Sequence, residues 1–376
     1  MDAINLLPAI LIGGPPHSGK SVLAYSLSQV LRARKIAHYL LRAAPDGEGD
    51  WSQVMEGDKV HAIRFKGEWT AEWVRIVCRD LAARVMPLLV DIGGKPTADQ
   101  MTIFDQCTGA ILLTPNDEEA ARWRERVALR GLPIIADLRS TLEGESKLQP
   151  SASGELRGTL SGLERGQGII GSAVLDALVE RLASIFAFSE AELARIHTAA
   201  AAPADARVVR FDDMLRRMYP NDGLPRFRPG DLDAILADVP AHEPIAAYGR
   251  IPAWVATALG ARRDLRWQFD ARLGWVRTPR FTMSSFVTRP ASAAGLAFHL
   301  AQTARDRVQL NVSKTEYYLD YGAMNGLHVP YVSAKMHVTV NGPETPGGGL
   351  PLWVFAALGH VYRNCASVWA RQAHER

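Results

Sequence analysis

Short apolar runs alternate with amphipathic stretches through the first 190 residues of the chain. The apolar runs have the length of buried strands, and the stretches between them repeat apolar residues at helical spacing. Strands are predicted at 8–13, 37–42, 60–64, 86–91, 108–113 and 132–136, and helices at 20–33, 70–83, 117–129 and 171–186. This alternation favours an α/β fold in which βαβ units form a mostly parallel sheet.

The end of this region is marked by two changes in composition. Residues 141–168 are rich in Gly, Ser and Glu, which predicts a mobile excursion from the sheet. Residues 198–206 read Thr-Ala-Ala-Ala-Ala-Pro-Ala-Asp-Ala, a composition typical of a linker. We therefore predict a first domain over residues 1–200.

An internal repeat follows the linker. Residues 251–260 (Ile-Pro-Ala-Trp-Val-Ala-Thr-Ala-Leu-Gly) and 350–359 (Leu-Pro-Leu-Trp-Val-Phe-Ala-Ala-Leu-Gly) are identical at six of ten positions. Proline at the start and glycine at the end of each copy are typical of helix boundaries. The repeat predicts a duplicated α+β unit with halves at 207–288 and 289–376. Two unrelated core helices that share a Pro-x-Trp-Val pattern by chance are the alternative.

Composition narrows the class of protein. The chain is 47% hydrophobic and 22% charged, as in an ordinary globular protein. No apolar run reaches the length of a membrane helix, and the first residues lack the basic flank of a signal peptide. Three scattered cysteines (78, 107 and 365) suit neither a disulfide framework nor a metal site. We expect a cytoplasmic protein with no membrane partner.

A phosphate-binding motif lies between the first predicted strand and the first predicted helix. Residues 13–21 read Gly-Gly-Pro-Pro-His-Ser-Gly-Lys-Ser, which matches G-x-x-x-x-G-K-S in the strand-to-helix context of a P-loop. Backbone N–H groups, the charge of Lys20 and the hydroxyl of Ser21 would hold the phosphates and Mg²⁺ of ATP. The predicted nucleotide-binding residues are Gly14, Pro15, His17, Ser18, Gly19, Lys20 and Ser21. A Gly-Pro-rich turn that matches by chance is the alternative.

Acidic residues end two other predicted strands. Asp91 follows Leu-Leu-Val, and an acid at this position reaches Mg²⁺ or its water, so Asp91 and Ser21 are the predicted metal ligands. An Asp91 that only caps the next turn is the alternative. Asp46 or Glu48 would orient an attacking hydroxyl, unless their loop is merely solvated. Arginines 122, 124 and 126 are weaker candidates for phosphate contacts, since they equally suit a surface face.

Arginines are concentrated in the second half of the chain. Residues 262–289 contain seven, at 262, 263, 266, 272, 277, 280 and 289, against Asp264 and Asp270. Such a surplus suits a phosphodiester ligand, although a solvated basic face explains it equally. A strand through Asp270 and Arg272 would point both side chains to one side, where an acid and an arginine can act on a ribose 2′-hydroxyl and a phosphorane. A structural ion pair is the alternative.

The segments 248–254 (Tyr-Gly-Arg-Ile-Pro-Ala-Trp) and 268–275 (Gln-Phe-Asp-Ala-Arg-Leu-Gly-Trp) resemble the core motif of a small CRISPR-associated ring-nuclease family. The P-loop and the string Pro-Asp-Gly-Glu-Gly-x-Trp at 45–51 resemble the AAA-type module to which some members are fused. The resemblance implies a ligand, cyclic tetra-adenylate, and a catalytic or ring-contacting role for Asp270 and Arg272. His360 would complete the site from the second copy, with Mn²⁺ as a metal for ring cleavage.

The sequence thus leads to a P-loop NTPase followed by a tandem ring-nuclease-like module that binds, and in one version degrades, cyclic oligoadenylate. Duplex nucleic acid is not an expected partner, and a homo-oligomer is compatible with this interpretation. The alternative function is a P-loop kinase that phosphorylates a small-molecule or nucleotide hydroxyl. A third function is a scaffold in which ATP only locks a conformation.

Overall fold

The computed structural model describes residues 7–44, 70–164, 172–200, 202–223, 225–271, 273–285, 295–315, 319, 321–343 and 349–371. The chain divides into two compact units. Unit 1 consists of Met1–Ile196 with Ala271–Leu273, and unit 2 consists of His197–Asp270 with Gly274–Arg376.

Unit 1 is a mixed α/β structure around one large sheet. Its strands are β1 (Ala9–Gly13), β2 (Tyr39–Arg42), β3 (Leu88–Asp91), β4 (Gly109–Thr114), β5 (Ile134–Thr141), β6 (Lys147–Gln149) and β7 (Leu156–Ser161). Its α-helices are α1 (Lys20–Ala33), α2 (Ala71–Ala82), α3 (Asp117–Ala128), α4 (Ala173–Ile185) and α5 (Glu190–Arg195), and Gln100–Gln106 form a 3₁₀-helix. The sheet order is β2-β3-β1-β4-β5-β7-β6, and only β6 runs antiparallel to its neighbour. The predicted α/β class with a mostly parallel sheet is confirmed.

The apolar runs become the centre of this sheet because both of its faces are covered. All five residues of β1 and all six of β4 are buried, as expected of strands without a solvent face. Leu23, Leu27 and Leu31 of α1 recur at helical spacing and belong to the same core as Ile10 and Ile12. The core therefore anchors both ends of the segment that joins β1 to α1.

The prediction of a mobile excursion at 141–168 is wrong for the part that forms strands. β7 pairs in parallel with β5, and β6 pairs with β7 at the edge of the sheet. A Cβ at Gly158 would lie 2.5 Å from the carbonyl oxygen of Lys147, so this glycine permits close strand packing rather than mobility. The strand predicted at 60–64 lies outside the described residues.

In its described residues, unit 2 contains three smaller sheets. Its strands are β8 (Arg207–Arg210), β9 (Ile245–Tyr248), β10 (Leu265–Asp270), β11 (Gly274–Arg277), β12 (Thr282–Ser284), β13 (Leu296–Ala304), β14 (Arg307–Lys314), β15 (His328–Pro330), β16 (His337–Asn341) and β17 (Ser367–Arg371). Its α-helices are α6 (Phe211–Met218), α7 (Leu232–Asp238), α8 (Ala253–Arg262) and α9 (Leu352–Val361). The sheet orders are β11-β10-β9-β8, β13-β14-β16-β17 and β12-β15.

The two copies of the sequence repeat occupy the same position in two similar motifs. Helix α8 connects the parallel strands β9 and β10, and α9 connects the parallel strands β16 and β17. Pro252 and Pro351 precede the two ten-residue helices, and Trp254 and Trp353 are buried at the second helical position. The outer strands differ, since β11 runs antiparallel beside β10 whereas β13 runs antiparallel beside β14.

Candidate functional site

The P-loop leaves β1 and enters α1 at Gly19. Gly19 has φ 84°, in the left-handed region that favours glycine, and it is the N-cap residue of α1. No side chain caps the first turn of α1 in the structure, whereas Thr70 caps α2 and Asn116 caps α3. The N–H groups of that first turn are therefore left for an anion, in the manner of helix N-termini that bind phosphate.

Lys20 is the buried positive charge of this loop. Its side chain is 7% exposed, and Nζ donates a 2.6 Å hydrogen bond to the carbonyl oxygen of Pro15. Burial lowers the pKa of Lys20 to about 8, while the nearby charge of Asp91 raises it and that of Arg42 lowers it. A bound phosphate would supply the negative charge that burial makes favourable here.

Asp91 and Arg42 lie at the ends of neighbouring strands beside the P-loop. Asp91 is in register with Ile12 of β1 and with Arg42 of β2. An Arg42 guanidinium nitrogen lies 3.4 Å from Asp91 Oδ2, and both side chains are less than a tenth exposed. Within the described part of the chain, Asp91 Oδ2 is buried and has no hydrogen-bond partner.

Three further features complete the wall of this site. The hydroxyl of Ser18 is buried and has no hydrogen-bond partner within the described residues. Ser21, the second residue of α1, is half-buried. A Cβ at Gly94 would lie 2.3 Å from the backbone nitrogen of Pro16, so the turn after β3 lies directly against the loop. The remaining loop residue, His17, is exposed and has φ 61°.

These oxygens fit a magnesium ion that is held mainly by its substrate. Mg²⁺ is typically bound through one or two carboxylates together with phosphate oxygens and water. Asp91 Oδ2 is a buried oxygen without a hydrogen bond, and Ser21 supplies a hydroxyl at the helix start. Among the described residues, no cluster of three or more His, Cys, Asp or Glu side chains is placed to hold a metal without a substrate.

The other candidates of unit 1 fall into two groups. Asp46 and Glu48 lie outside the described residues. The arginines on α3 have local partners: Arg122 pairs with Glu118 and Glu119, and Arg124 with Asp137, while Arg126 lies over the Trp123 ring.

Sequence reasoning missed Arg42. Its signal was available, because Arg42 ends the predicted strand 37–42 as Asp91 ends the predicted strand 86–91. The carboxyl ends of parallel strands meet at one edge of a sheet, so the two residues were candidates for contact. What the sequence did not contain was the order of the strands, which places β2 directly beside β3.

The structure describes two of the three candidates for ring chemistry in unit 2. Asp270 ends β10, and Arg272 lies outside the described residues, so their joint geometry is not tested. His360 contacts Arg280, whose guanidinium lies 2.9 Å from the ring Nδ1, and Arg280 also lies 3.5 Å from Asp264 Oδ1. Asp264 precedes β10, about 20 Å along the strand from Asp270 at ~3.3 Å per residue.

The environment of His360 keeps its imidazole neutral. Burial lowers the pKa of His360 to about 4, and the positive charges of Arg280 and Arg363 act in the same direction. The negative charge of Asp264 and a hydrogen bond to the backbone of Gly260 have the opposite, smaller effect. The ring therefore serves as an acceptor for Arg280 at neutral pH.

Comparisons with known proteins add little to this geometry. No protein-family model and no curated protein matches the chain. A solved structure of an unliganded sugar kinase from Janibacter sp. HTCC2649 aligns with a TM-score of 0.22 and 12% identity, over 50% of this chain and 98% of that chain. A likeness at this level supports no statement about function. In the described residues, no helix is long and apolar enough to cross a membrane.

Proposed function

We propose that unit 1 is an ATP-dependent phosphotransferase that uses Mg²⁺. The observation that carries the proposal is that Lys20 and Asp91 lie at the same edge of the sheet. Lys20 ends the P-loop, and Asp91 ends β3, the strand paired with β1. The uncapped first turn of α1 would hold phosphate oxygens. Lys20 Nζ would donate to these oxygens instead of to the carbonyl oxygen of Pro15. Asp91 and Ser21 would hold the metal, which neutralises charge on the transferring group.

The buried charges of the site support the same conclusion. Lys20 and Arg42 place two positive charges beside the P-loop, next to the carboxylate of Asp91. They are buried, where electrostatic interactions are stronger than in water. A triphosphate would be attracted to both, and Arg42 lies close enough to Asp91 to keep that carboxylate oriented.

The test follows the fate of the γ-phosphate. The full chain is incubated with γ-labelled ATP and Mg²⁺, and ADP, free phosphate and labelled organic products are measured separately. Lys20→Ala should weaken ATP binding by about 10- to 100-fold, the value of a charge-assisted contact. Lys147→Ala is the matched control, since Lys147 is exposed on the edge strand β6. ATP affinity that is unchanged in Lys20→Ala would refute the proposal.

The molecule that receives the γ-phosphate distinguishes an NTPase from a kinase. Equal amounts of ADP and free phosphate indicate hydrolysis, as expected of an NTPase that drives a conformational change. An excess of ADP over free phosphate, with label on an added small-molecule or nucleotide alcohol, indicates the kinase.

As a second function, we propose that unit 2 binds cyclic oligoadenylate. The favourable observation is the reciprocal packing of α8 and α9, because receptors of a rotationally symmetric ligand are commonly built from two equivalent halves. The comparisons give this function no support. Labelled cyclic tetra-adenylate tests it, with and without Mn²⁺: Asp270→Ala should bind the ring but not cut it, and absence of binding to wild type ends the proposal.

A further inference from the structure

An arginine-lined cavity in unit 2 is distinct from the P-loop. It has a volume of about 330 Å³, and its wall includes Arg266, Arg277, Arg280, Thr278, Tyr321 and Asn325. The volume lies at the lower end of the range for small-molecule sites, about 300–1,000 Å³. Three of the seven arginines that the sequence concentrates in residues 262–289 thus meet at one place.

The positive charge of this cavity is only partly compensated. Asp264 is shared between two arginines, at 2.9 Å from Arg266 and 3.5 Å from Arg280, and Asp205 lies 3.6 Å from Arg266. Among the residues that the structure describes, no carboxylate pairs with Arg277. The three guanidinium groups therefore exceed their two carboxylates.

Arg277 and Arg280 are exposed at the mouth of the cavity, but neighbouring residues fix the backbone of both. The ring of His360 accepts from Arg280, and the backbone N–H of Arg280 donates to Asn325 Oδ1 at 3.1 Å. The hydroxyl of Tyr321 donates to the backbone carbonyl of Arg277 at 2.8 Å, which fixes the opposite wall. Such preorganisation reduces the entropy that a ligand must overcome when it binds.

An unsatisfied hydroxyl in the cavity wall points independently to a ligand. Thr278 is 5% exposed, yet its Oγ1 has no hydrogen-bond partner within the described structure. A buried hydroxyl without a partner destabilises a fold, so its position in the wall of an arginine-lined cavity is explained by a polar occupant.

We propose that this cavity binds a small phosphate monoester. The phosphate group of such a molecule presents three acceptor oxygens, which suit three guanidinium groups better than the two oxygens of a carboxylate do, and its charge of about −1.5 to −2 near neutral pH more than offsets the surplus of one positive charge. Its oxygens suit the planar guanidinium groups of Arg277 and Arg280 and would accept from the Thr278 hydroxyl. The site is independent of ATP binding in unit 1.

The test uses calorimetric titration of the full chain with AMP, ribose 5-phosphate and inorganic phosphate. Adenosine and citrate serve as the uncharged and polycarboxylate probes. Because phosphates also suit the P-loop, every probe is measured in wild type, Lys20→Ala and Arg277→Ala. A cavity site should persist in Lys20→Ala and lose about 10- to 100-fold in affinity in Arg277→Ala. Arg262→Ala, on the exposed end of α8, is the matched control and should bind as wild type does.

Thr278→Val provides a second readout that does not depend on arginine charge. It replaces an unsatisfied hydroxyl by a methyl group of similar size, so the ligand-free chain should unfold at an equal or higher temperature while phosphate affinity falls about 2- to 10-fold. The proposal is overturned if no phosphate binds in the Lys20→Ala background, if Arg277→Ala binds as tightly as wild type, or if citrate binds as well as the phosphates. A loss of ATP binding in Lys20→Ala, by contrast, concerns only unit 1.

Discussion

Gly260 of α8 and Gly359 of α9 each lie against the backbone of the other helix. A Cβ at Gly260 would lie 2.1 Å from the carbonyl oxygen of Ala356, and a Cβ at Gly359 would lie 2.1 Å from that of Thr257. Both the glycines and their partners are separated by 99 positions, so exchanging the two repeats exchanges the two contacts. The helices therefore meet through equivalent surfaces, as in a pair related by a two-fold axis.

Gly260→Ala and Gly359→Ala should each destabilise unit 2. Alanine is favoured over glycine in a helix by about 1 kcal/mol, so propensity alone predicts stabilisation. The added methyl group must instead push the helices apart, and overpacking of this kind costs about 1–3 kcal/mol. Thermal and urea unfolding of the full chain measure the effect.

The matched control is Gly230→Ala, because nothing lies within 4 Å of a Cβ at that position. It should leave stability unchanged or slightly raised. The double variant at 260 and 359 should cost less than the sum of the single variants, since the first substitution already separates the helices. Equal or higher stability in both single variants would show that the helix contact is looser than described.

Local sequence signals were sufficient for the elements around these contacts. The predicted helix 20–33 coincides with α1, because Gly19 and the apolar spacing mark its start and its buried face. Pro252 and Pro351 likewise mark the first turns of α8 and α9. These features depend on residues close together in the chain, which a single sequence contains.

Features that depend on pairing between distant segments were not predictable in this way. The Gly- and Ser-rich composition of β6 and β7 did not predict strands, because the role of Gly158 depends on its pairing with β6 next to Lys147. Arg42 became a site residue only through the order of β2 and β3. The importance of Thr278 lies in burial without a partner, which no sequence pattern encodes.

ATP affinity should fall as the pH rises above about 8. The pKa of Lys20 is lowered to about 8 by burial, so the free protein loses this positive charge at mildly alkaline pH. Binding then requires uptake of a proton, and the apparent affinity decreases with each pH unit above the pKa. Dissociation constants for Mg²⁺–ATP between pH 7 and pH 9.5 measure the effect.

Lys20→Arg is the informative comparison for this pH dependence. An arginine stays charged throughout that range. The Lys20→Arg variant should therefore bind ATP more weakly than wild type, with an affinity that does not change with pH. The sign for stability is opposite to that for binding. Between about pH 8 and the ordinary lysine pKa near 10.5, the unfolded chain binds more protons than the folded one, so the free wild-type protein should become more stable as pH rises. Parallel pH profiles for wild type and Lys20→Arg would contradict a buried, titrating Lys20.

Arg42 and Asp91 should behave as a buried ion pair in unfolding experiments. Either Arg42→Met or Asp91→Asn removes one partner of this buried pair, and such a loss costs about 3–5 kcal/mol. The double variant should be more stable than the sum of the single effects predicts. Arg122→Met is the control, because its exposed pair with Glu118 contributes only about 0–1 kcal/mol. Additive single effects would mean that the two side chains do not interact.

His360 should make unit 2 less stable in mild acid. Its pKa is about 4 in the folded protein against an ordinary value of 6.5, chiefly because of burial and then because of Arg280. Between these two values the unfolded chain binds more protons than the folded one, so the free energy of unfolding should fall as the pH is lowered from 6.5 to 4. Unfolding by urea at a series of pH values measures this slope.

His360→Gln keeps a neutral acceptor for Arg280 but cannot titrate, so the advantage of wild type over this variant should shrink toward pH 4. Arg280→Ala removes one of the charges that lower the pKa and should give a shallower slope than wild type. A wild-type slope equal to that of His360→Gln would show that the imidazole is not held neutral by its surroundings.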